Sequence, residues 1–134
     1  MIAQKIVRLS VALLLLAGFC QAISAKSSGR WEYLGKAHVD GLADHDRIVV
    51  GRSEGTFRAI QIRVERAPIQ FQRVLVHYGN GANEELKLRN RIPAGGRTRM
   101  IDLRGNNRVI ERVELWYSKA NYNSHRPRLR LYGR

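Results

Sequence analysis

The sequence predicts an all-β fold: a single antiparallel β-sandwich, jelly-roll-like or similar, of about seven to eight short strands behind an N-terminal signal peptide. Three observations predict it. Short runs rich in Val, Ile, Leu and aromatics alternate with polar residues at a period of two, the period of a strand with one wet face. Turn formers interrupt them: Gly51 and Gly55, Asn80-Gly81, Pro93-Ala94-Gly95-Gly96 and Gly105-Asn106-Asn107. After the leader, no stretch of about 11 or more residues keeps a helical period.

The leader comes first. Met1 to Arg8 carries Lys5 and Arg8 and no acid, Leu9 to Cys20 is almost wholly apolar, and small residues follow up to Ala25. Basic, apolar, small is the order of a secretory signal. Cleavage after Ala25, with Ala22 as the alternative, divides the chain into a signal peptide, 1–25, and a β-sandwich domain, 26–134. The apolar run is shorter than the ~20 residues of a spanning helix, so no transmembrane span is expected after cleavage. A retained anchor is the competing reading. Cys20 suggests a lipoprotein, but Phe19 stands where lipidation favours a small residue. Cys20 is the sole cysteine, so the cleaved domain has neither disulfide nor thiolate ligand and must rest on its core.

The expected strands follow in order. Trp31 to Val39 holds Trp31, Tyr33 and Leu34, and Arg47 to Val50 is a short apolar run. Phe57 to Arg66 sets Ile60, Ile62 and Val64 against Gln61, Arg63 and Glu65. Pro68 to Tyr78 carries Val74, Val76 and Tyr78 on one face. Glu85 to Ile92 turns Leu86 and Leu88 inward and Lys87, Arg89 and Arg91 outward. Arg97 to Leu103 ends on Ile101 and Leu103. Val109 to Tyr117 sets Val113, Leu115 and Tyr117 against Arg112, Glu114 and Trp116. Pro127 to Gly133 turns Leu129 and Leu131 inward and Arg128, Arg130 and Tyr132 outward. One bulge reverses a face, and Gln72-Arg73 and Glu111 are the expected places for one.

Several of these stretches carry a resemblance: DHDRIVVG from Asp44, GTFRAIQIRV from Gly55, RTRMIDLRGNNRVIERVELWYS from Arg97 and RLRLYGR from Arg128. The most specific part is the order Ile-Asp-Leu, Gly, Arg-Val-Ile, Val-Glu-Leu-x-Tyr, ending in Leu-Tyr-Gly. Over about Trp31 to Arg134 the chain resembles a group of small uncharacterised secreted bacterial β-sandwich domains, domains of unknown function. The resemblance implies an exported β-sandwich and carries over no site residue.

Charge is the main functional signal. The 134 residues include 24 basic and 11 acidic ones, a net charge of +13. Removing Lys5 and Arg8 leaves 22 against 11, a net +11, and 18 of the 22 are Arg. Pairing cannot neutralise such a surface, and guanidinium grips phosphate, sulfate and carboxylate with two donors. A GC-rich genome would give the same Arg bias. The expected ligand-binding face comprises Arg63, Lys87, Arg89, Arg91, Arg112, Trp116, Arg128, Arg130 and Tyr132. Arginines among aromatics suit anionic polymers. The competing reading is a solvated face with cross-strand ion pairs.

Two other constellations stand beside it. The acidic loop from Asp40 to Asp46 could hold Ca²⁺ through Asp44 and Asp46, although its spacing is not an EF-hand and a plain turn is the favoured reading. No other cofactor is expected. His38, His45, His77 and His125 are the only histidines, and no nucleophile elbow, His-Glu-x-x-His or phosphate loop occurs. The sequence thus points to a non-enzymatic binding module, periplasmic or secreted. Its expected ligand is an anionic envelope or extracellular component such as lipopolysaccharide, acidic glycan or lipid phosphate; nucleic acid is scarce in that compartment. The alternative is a structural envelope protein that binds a protein partner.

Overall fold

The computed structural model describes residues 29–39, 43–88, 91–120 and 125–134. The leader, Asp40, Arg89 and the 121–124 segment lie outside the described residues. Ten strands and one short 3₁₀ turn make up the described elements: β1 (Glu32–His38), β2 (Ala43–Val49), β3 (Thr56–Phe57), β4 (Ala59–Glu65), β5 (Ile69–Tyr78), β6 (Asn83–Leu86), β7 (Arg91–Ile92), β8 (Ile101–Asp102), β9 (Arg108–Lys119) and β10 (Arg128–Gly133). All pairings are antiparallel. They form two sheets, one ordered β1-β10-β4-β8 and the other β2-β9-β5-β6, the latter extended by β3 on β9 and β7 on β5. The expected sandwich is the observed fold.

The core lies between the sheets. Ile60, Ile62, Val64, Leu129 and Leu131 come from the first sheet; Phe71, Val74, Val76, Val113, Leu115 and Tyr117 come from the second. Both bulges fall where the alternation predicted. The β5–β9 register slips between Phe71 and Arg73, and again where His77 pairs Arg112 but Tyr78 pairs Ile110, leaving Glu111 as the extra residue. The slips keep Val113 and Tyr78 facing inward on either side.

Four expectations are corrected. The single strand expected over Glu85–Ile92 is two short ones, β6 and β7, which pair separately with different parts of β5. The single strand expected over Phe57–Arg66 is two, because β3 pairs with β9 and β4 with β10, so the chain changes sheets at Arg58. Only Ile101–Asp102 of the expected Arg97–Leu103 strand pairs as a strand, with Arg97 forming an isolated bridge to Arg63. The stretch read as an acidic loop is strand from Ala43, paired against Ser118 through Arg112 of β9. Asp is a poor strand former in isolation, but the long β9 template overrides that preference. β2 is an edge strand, and half-buried Asp44 and Asp46 on its core-facing side discourage pairing with a foreign edge.

Gly133 shows how closely the sheets approach. A Cβ there would stand 2.6 Å from Phe57 Cδ1 and 2.8 Å from Leu34 Cδ1. Only a residue without a side chain lets the end of β10 lie against the core here.

Candidate anion-binding face

In β10 the buried residues Leu129, Leu131 and Gly133 turn Arg128, Arg130 and Tyr132 to the outer side of the first sheet. Cross-strand register brings the neighbours onto the same face. Arg130 lies between Lys36 of β1 and Arg63 of β4, and Arg63 in turn faces Arg97. Four cationic residues therefore stand in one row across the sheet, their backbone positions about one strand spacing of ~4.8 Å apart. On one side of the row stand Tyr33, Tyr132 and Gln61, on the other His38, Arg128 and Glu65.

This row is electrostatically unfavourable in the protein alone, since like charges directly opposite one another destabilise a sheet. Glu65 relieves part of it: its Oε1 lies 3.2 Å from Arg130 Nε and its Oε2 3.5 Å from Arg128 Nη1. Lys36, Arg63 and Arg97 have no carboxylate partner among the described residues. Arg63 instead lays its guanidinium 4.2 Å from the Tyr132 ring centroid, and its Nε is buried without a hydrogen-bond partner. Tyr132 also meets Tyr33 edge-on, centroids 5.7 Å apart. The Tyr132 hydroxyl, and then the charge of Glu65, push the Arg130 pKa above its ordinary value.

The remaining residues expected on one basic face lie elsewhere. Arg112 and Trp116 are on β9, on the outer side of the second sheet, with the core between them and Arg130. Lys87, exposed just beyond β6, and Arg91 of β7 belong to that second sheet as well. Arg89 lies outside the described residues. The expected single face is therefore corrected to Arg63, Arg128, Arg130 and Tyr132 on one side of the sandwich. Strand parity separates inside from outside, but it does not say which sheet a strand joins.

The second sheet's outer face has a different character because its charges are paired. Glu114 is held by His45 Nε2 at 2.9 Å and approached by His77 Nε2 at 2.8 Å, with Arg112 Nε 3.6 Å away. The His45 bond is the chief cause, ahead of the His77 charge, of a Glu114 pKa below the ordinary carboxylate value, against the opposing effect of burial. Arg112 also meets Glu111 at 2.9 Å, and Arg73 meets Glu85 at 3.2 Å. The Trp116 ring is used internally: His45 stacks on it at 4.4 Å, and Arg73 lies 4.8 Å from its centroid.

Asp44 and Asp46 are turned to local tasks, accepting the backbone N–H of His45 at 2.8 Å and of Arg47 at 2.7 Å. Among the described residues no group of three or more His, Cys, Asp or Glu side chains is arranged to hold a metal ion.

Sequence reasoning passed over three members of the first face. Lys36 was hidden by a bulge between Tyr33 and Gly35, which puts Tyr33 and Lys36 on one side despite their odd separation. Tyr33 carries no sequence signal beyond its place in a strand. Arg97 has the parity of buried Ile101 and Leu103, and only the break in strand structure at 98–100 frees it to face outward.

The fold and this face together define a small β-sandwich module with one cationic, tyrosine-flanked sheet surface. The chain belongs to the family described as domain of unknown function DUF2541, whose model matches residues 9–133. No curated protein matches it. Among solved structures it is similar to one of AlgX from Pseudomonas aeruginosa, at 14% identity and a TM-score of 0.48. The match covers 80% of this chain and 27% of that one, so this chain spans about a quarter of that structure's length. Among the described residues no helix is long and apolar enough to cross a membrane.

Proposed function

We propose that this protein is a non-enzymatic binding module, periplasmic or secreted, that holds an anionic envelope or extracellular ligand on the outer face of its first sheet. The row Lys36–Arg130–Arg63–Arg97 carries this reading. Its members repel one another and three of them have no carboxylate partner among the described residues, an arrangement that costs stability unless an anion occupies it. Lipopolysaccharide, acidic glycan and lipid phosphate all offer such groups. The basic, apolar and small order of the first 25 residues supports export. The test is binding of heparin and lipopolysaccharide across a salt series. Affinity that falls steeply with salt supports the reading, and affinity indifferent to about 0.5 M salt contradicts it.

A second reading, docking of a protein partner, is favoured by Val49, 70% exposed on the edge strand β2. It calls for a stoichiometric protein complex that survives salt and is lost in Val49→Lys.

A further inference from the structure

We infer that a second site, a pocket beside the chain crossing at Arg58, binds one small hydroxylated acid: a sugar ring bearing a single carboxylate or phosphate. The site shares no residue with the row Lys36–Arg130–Arg63–Arg97 and does not rest on the anion-binding reading of that face. Its volume is about 440 Å³, within the range of pockets that take small ligands. Two features of the lining select this class.

The first is that the pocket is fixed by backbone hydrogen bonds. The Arg134 N–H donates to the Ala59 carbonyl at 2.9 Å, and the Arg58 and Ala59 N–H groups donate to the Arg134 main-chain oxygen at 2.6 and 3.2 Å. The Leu103 N–H closes onto the Arg58 carbonyl at 2.8 Å, next to Asp102, which pairs with Ala59. Ala59, 2% exposed, brings only a methyl to the lining. Arg58 is held at its side chain as well: its Nε donates to Asn107 Oδ1 at 3.1 Å, which leaves both terminal nitrogens for an acid. Groups held in place before a ligand arrives lose little freedom on binding it.

The second is that opposite charges line the pocket without closing on one another. Arg30, Arg58 and Arg134 stand there with Asp102. Among the described residues none of the three arginines has a carboxylate partner, and the Asp102 carboxylate makes neither an ion pair nor a hydrogen bond. Arg134 Nη1 rests instead against Met100 Sδ at 3.9 Å. The other carboxylate of the lining, Glu32, is engaged, and the Arg134 main-chain oxygen already accepts two N–H groups. A ligand that satisfies this lining brings an acid for the guanidiniums and a hydrogen-bond donor for Asp102. The guanidiniums repel an ammonium, so the fitting donor is a hydroxyl. A neutral sugar would leave the guanidiniums without a partner, and an acid lacking hydroxyls would meet Asp102 only as a like charge.

The experiment is calorimetric titration of the purified protein with glucuronate, glucose 6-phosphate, glucose, and cyclohexanecarboxylate with and without a 4-amino group. Glucuronate or glucose 6-phosphate should bind at one equivalent and about tenfold more tightly than the other three probes, and the tighter of the two tells whether the acid is carboxylate or phosphate. Arg58→Ala or Arg134→Ala should weaken that binding about tenfold, the loss of a hydrogen bond to a charged group. Asp102→Ala should bring the affinities for glucuronate and cyclohexanecarboxylate together. All three side chains are exposed, and an unchanged melting temperature verifies folding. Three results overturn the inference: binding of neither hydroxylated acid, equal affinity for glucose or for either cyclohexane acid, or a preference for the hydroxylated acid that survives Asp102→Ala. Heparin titration of the same protein tests the row separately, so failure of one site leaves the other standing.

Discussion

Replacing Glu65 by Gln separates a binding face from a merely solvated one, because the two accounts demand opposite signs. Glu65 stands between Arg128 and Arg130, at 3.5 and 3.2 Å. If those pairs exist to hold the sheet together, the substitution only loses them. If the face binds anions, Glu65 competes with the ligand for the same guanidiniums and repels it. A bound carboxylate about 7 Å from Glu65 is repelled by ~0.6 kcal/mol at the dielectric of water and ~2.4 kcal/mol at an effective value of ~20. Salt near 0.15 M, with a Debye length of ~8 Å, removes roughly half of that, leaving ~0.3–1.2 kcal/mol. The expected outcome is heparin affinity about two- to eightfold higher in Glu65→Gln. Because Glu65 is 37% and Arg130 36% exposed, the stability change should stay within ~1 kcal/mol. Calorimetric titration reads the affinity and thermal melting the stability. Unchanged or weaker binding by a folded Glu65→Gln protein would refute the reasoning.

Three further outcomes are expected. Arg112→Ala, on the opposite face and already paired with Glu111 at 2.9 Å, should leave polyanion affinity within about twofold of wild type in the same titration, whereas Arg63→Ala should weaken it several-fold. Glu114 has a lowered pKa in the folded state, so its contribution to stability is complete above its ordinary value of 4.5 and disappears as pH falls through the lower folded value. Urea midpoints of wild type and Glu114→Gln should therefore differ most near neutral pH and converge as acid protonates Glu114. Gly133→Ala places a methyl 2.6 Å from Phe57 and should cost ~1–3 kcal/mol, measured by thermal melting.

The sequence carried the layers of this fold and the inward-facing set almost completely, because alternation at a period of two is a local signal. Val113, Leu115 and Tyr117, or Leu129 and Leu131, are identifiable from about five consecutive residues, and all are buried. Even the bulges at Gln72-Arg73 and Glu111 were visible as breaks in that alternation. Pairing order was not legible. Nothing local in Arg112 and Arg130 says that β9 joins one sheet and β10 the other, since that follows from contacts distant in sequence. The same holds for the crossing at Arg58, where two residues of β3 and seven of β4 look like one run. Lys36 and Arg97 joined the face only through a bulge and a strand break, and His45 met Glu114 only through the pairing of an Asp-rich segment as strand. Core positions reflect local chemistry, while the candidate site is a product of register.

The central claim, that the outer face of the β1-β10-β4-β8 sheet is an anion-binding surface, is tested most directly by measuring heparin affinity across a salt series for wild type and for a folded Arg63→Ala, Arg128→Ala, Arg130→Ala variant. The account expects tight binding by wild type at low salt, a steep loss with added salt, and a variant with much weaker binding and a shallower salt slope. Equal affinity and equal slope in the two proteins would contradict it and would place any polyanion binding on another part of the surface.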